Sequence, residues 1–290
     1  MPEIGSKPEA DIDLVDETFE ASHSESYHLS IQTEPGRLTF CVFNTVIHKY
    51  IVLRSYPLFN HGSDIIAGGC TTVFENDEML GLRFKSSSHL WISPRSTLVP
   101  GHLFDANEAD LYLSFNHDAI AGEQTLYNYI RPANLYQVFT CPEIFLSKLR
   151  HYHPDIRLYH QVTPLIESII TEISSPDMNV AIYYYSCYLD IAVVRKNELL
   201  FYNTFHINVP EDTVYYLSGV SNMFDIDLST TKIKYAGNFN QLPPEIAILK
   251  KYAGNIVDCD PPHAVTYSHY IQAPLVKNFI NLFNLYGCGL

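Results

Sequence analysis

The stretch VAIYYYSCYLDIAVVRKNELLFYNTFHI, residues 180–207, decides the fold. It holds three apolar runs of strand length, at residues 180–185, 189–194 and 199–207. The runs are rich in β-branched and aromatic residues, which favour strands, and Lys196-Asn197 marks a turn between the last two. The stretch therefore predicts three consecutive strands that pair as an antiparallel meander.

A second meander is predicted near the start of the chain. Its apolar runs cover residues 27–33, 38–43 and 50–53, and Gly36 provides its first turn. After each meander the pattern predicts a helix, a strand and a further helix, at residues 64–82, 89–93 and 142–152 and then at residues 211–223, 232–236 and 243–252. This duplicated meander-helix-strand-helix order is the plan of the actin-like ATPase fold. The predicted fold class is α/β with mixed sheets, in two ribonuclease H-like lobes.

The two lobes are predicted to meet at the break Ser174-Ser175-Pro176. We expect an acidic, disordered tail over residues 1–25, an N-terminal lobe over residues 26–175 and a C-terminal lobe over residues 176–290. Within the first lobe, Pro94 and Pro100 bracket a predicted loop at residues 95–99.

The composition is typical of a globular protein that buries apolar strands. Hydrophobic residues make up 47% of the chain and charged residues 17%. No apolar run approaches the roughly 18 residues of a membrane span, and the N-terminal region is acidic where a signal peptide is basic. Six scattered cysteines form no CxxC pair and are predicted to be buried free thiols. We therefore expect a cytoplasmic location.

The net charge of −14 is concentrated at the N-terminus. Residues 1–25 hold eight acidic residues and one lysine, so this segment contributes half of the net negative charge. This charge repels phosphate backbones and no basic stripe offsets it, so a nucleic-acid partner is not expected. A solvated tail is the favoured interpretation. The alternative is that the tail docks the chain to a basic protein partner.

Several motifs resemble a family of uncharacterised bacterial proteins with an actin-like ATPase fold. They are LLFYNTF at 199–205, YYL at 215–217 and YAGN at 235–238, with TLVP at 97–100 and LYNY at 126–129 in the first half. The resemblance covers roughly residues 26–290. The family has no assigned activity, so the resemblance implies the fold and not a function. The fold is also similar to that of bacterial actin-like scaffolds of secretion and pilus machines, some of which have lost nucleotide binding.

Active members of this superfamily hold ATP between the lobes with one phosphate-binding hairpin in each meander. Each hairpin carries an Asp that organises Mg²⁺ and a Gly that lets backbone N–H groups approach the phosphates. In the first hairpin, Gln32 or Thr33 stands where the Asp belongs, Pro35 removes a donor, and Gly36 alone remains. This hairpin is predicted to be a poor phosphate cradle.

The second hairpin and the adenosine-binding turn are also degenerate. Tyr183, Tyr184 and Tyr185 precede Ser186 where an Asp-x-Gly turn would be. The adenosine turn has paired glycines in active relatives, whereas this chain has Gly237 followed by Asn238. The candidate cleft residues are therefore Thr33, Gly36, Ser186, Asp190, Gly237 and Asn238, with no predicted catalytic residue and no predicted metal site.

Other candidate groups favour structural roles. His151, His153 and His160 are interpreted as surface or loop residues rather than metal ligands, and Cys70 after two glycines as a small packing site rather than a nucleophile. Asp190 lies in an apolar strand and is expected to be a strand-edge or cleft-facing carboxylate that binds a hydroxyl, with a functional role as the alternative. For the tyrosines at 183–185, core packing is favoured over a partner-binding surface.

Two main hypotheses follow. The favoured one is a non-catalytic binding or scaffold protein that keeps the actin-like architecture and needs no cofactor. The alternative is an ATPase or sugar-kinase-like enzyme that uses ATP and Mg²⁺, with Glu34, Asp190 or Asp212 as the carboxylates near the metal.

Overall fold

The computed structural model describes residues 8–58, 63–172, 178–237, 244–260 and 265–288. Its first sheet has the strand order β1-β4-β3-β2-β5-β9, with β15 also paired to β4. The strands are β1 (Ile12–Val15), β2 (Tyr27–Glu34), β3 (Arg37–Asn44), β4 (Lys49–Pro57), β5 (Ser86–Trp91), β9 (Arg157–His160) and β15 (Thr266–Tyr267). Strands β2, β3 and β4 form the first antiparallel meander, and β5 and β9 extend it in parallel.

The second sheet repeats this arrangement with the order β12-β11-β10-β13-β14. Its strands are β10 (Asn179–Tyr185), β11 (Tyr188–Arg195), β12 (Glu198–His206), β13 (Lys232–Gly237) and β14 (Asn255–Asp258). The meander β10-β11-β12 is antiparallel, and β13 and β14 are parallel additions beside β10. The order matches β4-β3-β2-β5-β9 strand for strand, so the predicted duplication is confirmed.

A third, smaller sheet is inserted in the first lobe between β5 and the helix at Glu143–Tyr152. It has the order β6-β8-β7 and consists of β6 (Ser96–Pro100), β7 (Glu123–Ile130) and β8 (Leu135–Pro142). The prediction of a loop at residues 95–99 is therefore wrong, because β6 pairs antiparallel with β8. The flanking prolines mark the ends of an edge strand, where a missing N–H breaks no ladder bond.

Eight helices lie in the part of the chain that the structure describes. They are α1 (Ser63–Asn76), α2 (Ala109–Ser114), α3 (Glu143–Tyr152), α4 (Val162–Glu172), α5 (Glu211–Met223), α6 (Pro244–Leu249), α7 (Ala273–Asn278) and α8 (Ile280–Asn284). Helix α3 illustrates how apolar spacing specifies a helix. Its residues Phe145, Leu146 and Leu149 recur at helical spacing and are buried. They pack into the core of the first lobe.

Residues 8–25 of the predicted tail include strand β1, so the prediction of disorder is wrong for these residues. Strand β1 pairs antiparallel with β4. The acidic residues Asp11, Asp13 and Asp16 form ion pairs with Arg37, Arg54 and Lys49 at 2.8, 2.7 and 2.7 Å. Basic residues on β3 and β4 thus neutralise part of the charge, which a count of acids along the sequence does not show.

The C-terminal segment returns to the first sheet. Strand β15 pairs with β4, and α7, α8 and Phe279 between them form a cluster in which Val276, Phe279 and Phe283 pack with Phe43 and Tyr50. The predicted boundary near residue 176 lies outside the described residues, and the domain limits stay a prediction.

All six cysteines are free, and five of them are buried, as predicted. Among the described residues, no helix has the length and apolar character needed to span a membrane.

Candidate functional site

The turns of the two meanders face each other between the lobes. In the first hairpin, Glu34 pairs with Arg37 across the two-residue turn Pro35-Gly36. Gly36 has φ +83°, the conformation that a Pro-Gly turn requires at its second position and that glycine adopts without strain. In the second hairpin, Tyr185 pairs with Tyr188 across Ser186-Cys187.

A direct contact between Glu34 and Ser186 joins the two turns. The backbone N–H and the hydroxyl of Ser186 each lie 3.1 Å from Glu34 Oε2 and donate to it. The hydroxyl also lies 2.9 Å from the carbonyl oxygen of Pro35. Glu34 is 1% exposed, so its carboxylate is enclosed by protein groups at the point where the lobes meet.

The second oxygen of this carboxylate is also engaged. The Gln32 amide donates to Glu34 Oε1 at 3.2 Å, and Gln32 itself is buried. A buried carboxylate needs such donors because it has lost its hydration. The arrangement places a buried carboxyl group where a phosphate-binding hairpin would offer backbone donors to a phosphate.

Two tyrosines fill the space behind the second turn. Tyr183 and Tyr185 stack with ring centroids 4.6 Å apart, and both are buried in a core that spans the two lobes. The Asn281 amide donates to the hydroxyl of Tyr185 at 2.6 Å and to the carbonyl of Gln161 at 3.4 Å. Because Tyr184 is buried as well, on the opposite face of β10, the core-packing interpretation of residues 183–185 is confirmed.

Thr33 does not face an open cleft. Its hydroxyl shares a 2.9 Å hydrogen bond with His89 Nε2, and both residues are buried. Burial lowers the pKa of His89 to about 3, so the ring is neutral. Cys70 lies 3.9 Å from the same hydroxyl, and burial raises the pKa of its thiol to about 12. A thiol that stays protonated is a poor nucleophile.

Asp190 is fully buried on β11, the middle strand of the second meander. The Thr204 hydroxyl donates to its Oδ1 at 2.7 Å, and the Tyr202 hydroxyl lies 2.9 Å from Thr204 Oγ1. Burial raises the pKa of Asp190 to about 7, although the hydrogen bond from Thr204 opposes the rise. Its side chain also contacts Tyr202 and, from the segment after β9, Gln161, so its hydrogen-bond partners include neither turn.

Gly237 ends β13 and packs closely against β10. It has φ +146°, and a methyl group there would lie 2.5 Å from the Tyr184 carbonyl oxygen. Strand packing therefore explains this glycine without a nucleotide. Asn238 lies outside the described residues. Asp212 is found on α5, where its carboxylate accepts the backbone N–H groups of Asn208 and Val209.

The three histidines of the sequence analysis have different environments. His151 is exposed, His153 is buried in the loop after α3, and His160 is buried at the end of β9, so a surface or loop position is wrong for His160. Burial lowers the pKa of His160 to about 3, and its Nε2 lies 2.8 Å from the Ser93 carbonyl. Within the described ranges, one group of three potential metal ligands occurs, Asp16, Glu17 and His269, and Lys49 already pairs with its aspartate.

The structure thus brings Glu34 and Ser186 together, while Thr33, Asp190, Gly237 and Asp212 each have separate partners. Sequence reasoning considered Glu34 only as a metal-associated carboxylate and did not find Asn281. No local pattern identifies the contact of Glu34 with Ser186 or that of Asn281 with Tyr185, because the partners lie 152 and 96 positions apart along the chain.

The family and fold follow from comparison with known proteins. The family model described as "Protein of unknown function (DUF3822)" matches residues 16–256. No curated protein sequence matches the chain significantly.

Two solved structures share the architecture. A protein of Bacteroides thetaiotaomicron with an actin-like ATPase fold and unknown function is 21% identical, with a TM-score of 0.81 over 93% of this chain and 99% of its own. The PilM-PilN type IV pilus biogenesis complex contains a chain that is 11% identical, with a TM-score of 0.57 over 89% of this chain and 97% of its own. At these identities the likeness shows the fold alone, and that fold is the predicted actin-like ATPase fold.

Proposed function

We propose that this chain, which belongs to the DUF3822 family of proteins of unknown function, is a non-catalytic binding or scaffold protein of actin-like ATPase fold. The observation that carries the proposal is the contact between Glu34 and Ser186. It occupies the place where two phosphate-binding hairpins would hold a nucleotide between them.

The donors of the two turns support this proposal. Backbone N–H groups at a hairpin turn bind phosphate oxygens when they point into open space. The N–H of Ser186 is instead bonded to Glu34, and Pro35 has no N–H. A triphosphate between the turns would have to displace the Glu34 carboxyl group from Ser186 before it could use this N–H.

The alternative enzyme needs carboxylates that converge on Mg²⁺. A magnesium site of this kind uses one or two carboxylates together with substrate phosphates. Glu34, Asp190 and Asp212 instead bind Ser186, Thr204 and the backbone of residues 208–209. The alternative therefore requires Glu34 to leave Ser186 when a nucleotide binds, which a binding measurement can detect.

Partner and location remain proposals. The PilM structure was solved as a complex with PilN, so one protein of this fold assembles with another protein. By analogy we propose a protein partner for this chain as well. The six free thiols suit a reducing compartment, which supports a cytoplasmic location.

Isothermal titration calorimetry of the purified chain with ATP, with and without Mg²⁺, tests the proposal. We expect no saturable heat at millimolar nucleotide under either condition. Mg²⁺-dependent binding that is lost in Ser186→Tyr, a variant that would block the space between the turns, would overturn it. Ser229→Tyr, at an exposed serine in a turn of the second lobe, is the control for the added tyrosine.

A further inference from the structure

A polar cavity lies between the third sheet and the outer strand of the second meander. Its volume is about 610 Å³, which falls in the range of small-molecule sites. Strands β6 and β8 and the residues after α2 line one side, and β12 lines the other. The lining includes neither Glu34 nor Ser186, so the cavity is separate from the site between the two turns.

Gln137 is the unusual residue of this cavity. It lies on β8 between Leu98 and Asn128 of the neighbouring strands and is completely buried. Among the described residues, neither the nitrogen nor the oxygen of its amide has a hydrogen-bond partner. Buried amides are normally bonded on both atoms, so the adjacent N–H₂ group and oxygen of this side chain are left unsatisfied.

The rest of the lining indicates an uncharged ligand. It contains no lysine, arginine, aspartate or glutamate. Sites for phosphates and carboxylates normally present arginine or lysine, which pair with the anion. The other polar lining residues offer hydroxyls, amides and imidazoles, among them Thr97, Asn116, His117, Asn203, Thr204 and His206. His117 Nε2 already shares a 3.1 Å hydrogen bond with the Ser96 carbonyl.

The Gln137 amide also restricts the shape of the group it can bind. A primary carboxamide or a lactam presents N–H and C=O on one edge, so it can form two hydrogen bonds with a second amide. A trans peptide unit points these groups in opposite directions and can form only one. The amide atoms of Gln137 are inaccessible to water in the observed rotamer, so binding requires this side chain to rotate into another rotamer that faces the cavity.

We propose that this cavity binds an uncharged small molecule through a primary carboxamide or lactam edge, with Gln137 as the residue that recognises it. Tyr202 and Thr204, whose hydroxyls are bonded to each other, line the opposite wall on β12. The proposal names a ligand class for the chain and does not depend on whether the turns bind a nucleotide. The nucleotide titration therefore tests only the proposed function, and the NMR titration tests only the ligand of this cavity.

Saturation-transfer NMR titration of the full chain tests this inference with four probes. Nicotinamide and 2-pyrrolidone carry the proposed edge, nicotinate replaces the carboxamide by a charge, and N-acetylalanine methylamide offers only trans peptide units. We expect saturable binding of nicotinamide or 2-pyrrolidone, at least tenfold tighter than that of nicotinate or the peptide. The absence of saturable binding by both edge-bearing probes, or tighter binding of either control probe, overturns the proposal.

Variants locate the binding. Gln137→Leu should weaken it at least tenfold, whereas Gln124→Leu, the same change at an exposed position of β7, should leave it unchanged. Asn203→Trp gives an independent test if Gln137→Leu does not fold, because Asn203 is exposed and lines the cavity, so the larger ring should block it. Unaltered binding in a folded Gln137→Leu or Asn203→Trp protein contradicts the assignment.

Discussion

Glu34 and Ser186 lie 152 positions apart in the chain and meet between the two lobes, where one carboxylate oxygen accepts both the N–H and the hydroxyl of the serine at 3.1 Å. This contact joins the tips of two hairpins that the duplicated architecture places face to face. It therefore links the two hairpins through protein groups alone.

Removing the serine hydroxyl should weaken the contact between the two hairpins. Ser186→Ala loses a hydroxyl whose single hydrogen is shared between Glu34 Oε2 and the Pro35 carbonyl, and we expect it to lower the free energy of unfolding by about 1–2 kcal/mol. Urea denaturation of Ser186→Ala, Glu34→Gln and the double variant measures the coupling, which should be about 0.5–3 kcal/mol. Strictly additive effects would show that the two residues do not interact. Ser114→Ala, at an exposed serine whose hydroxyl donates to the Leu111 carbonyl, serves as the matched control.

Gly237 should be intolerant of a side chain for structural reasons. Gly237→Ala places a methyl group 2.5 Å from the Tyr184 carbonyl oxygen at φ +146°, and we expect a loss of about 2–4 kcal/mol in unfolding free energy. Gly219→Ala is the matched control. Gly219 is an exposed helix position of α5 with open space around it, and alanine there should stabilise by about 0.5–1 kcal/mol. Equal effects of the two substitutions would contradict this account of Gly237.

Asp190 should make the protein less stable as the pH rises from about 4 to about 7. Its folded pKa is raised to about 7, so between these values the native state holds a proton that the unfolded state has released. Asp190→Asn removes this cost. Its advantage in unfolding free energy should grow from near zero at pH 4 to roughly 4 kcal/mol at pH 7 and then level off.

Asp212→Asn should show the opposite dependence and serves as the control. Hydrogen bonds from the backbone of Asn208 and Val209 lower the pKa of Asp212, so its carboxylate stabilises the fold above the unfolded pKa. This contribution is lost as the pH falls. Thermal denaturation of both variants between pH 3 and pH 8 provides the measurement, and a pH-independent difference for Asp190→Asn would refute the assignment.

Asp16 tests whether the acidic N-terminal region is part of the fold. Burial raises its pKa, but hydrogen bonds from Lys49, Ser268 and Thr18 outweigh this effect, so the pKa is lowered. Asp16→Asn should cost about 1–3 kcal/mol at pH 7, and the difference from wild type should shrink as the pH falls below about 4. Glu20→Gln changes an exposed acid of the same region and should have an effect below about 0.5 kcal/mol. Equal results for the two variants would support a solvated tail instead.

Much of the architecture could be predicted because it is encoded locally. The apolar runs of both meanders and the helix signals after them lie within short windows, so strand and helix patterns identified them. Strands β1, β6 and β15 were missed for one reason. Each is short and acquires its strand conformation by pairing with a distant partner, as Ile12–Val15 does with β4.

The candidate site could be predicted only in part. The absence of the phosphate-binding residues was evident from Pro35 and from the tyrosines before Ser186, since both lie within a single hairpin. The contact that replaces them depends on how two hairpins from different lobes meet, which local pattern does not specify. Gln137 illustrates the same limit, because it looks like any polar strand residue until the burial of its amide is known.

Crystallography in the presence of a non-hydrolysable ATP analogue and Mg²⁺ tests the central claim most directly. We predict that the space between the hairpin turns holds no nucleotide and that Ser186 remains bonded to Glu34. Triphosphate density between the turns, with Glu34 displaced from Ser186 and a metal ion on the phosphates, would contradict the account.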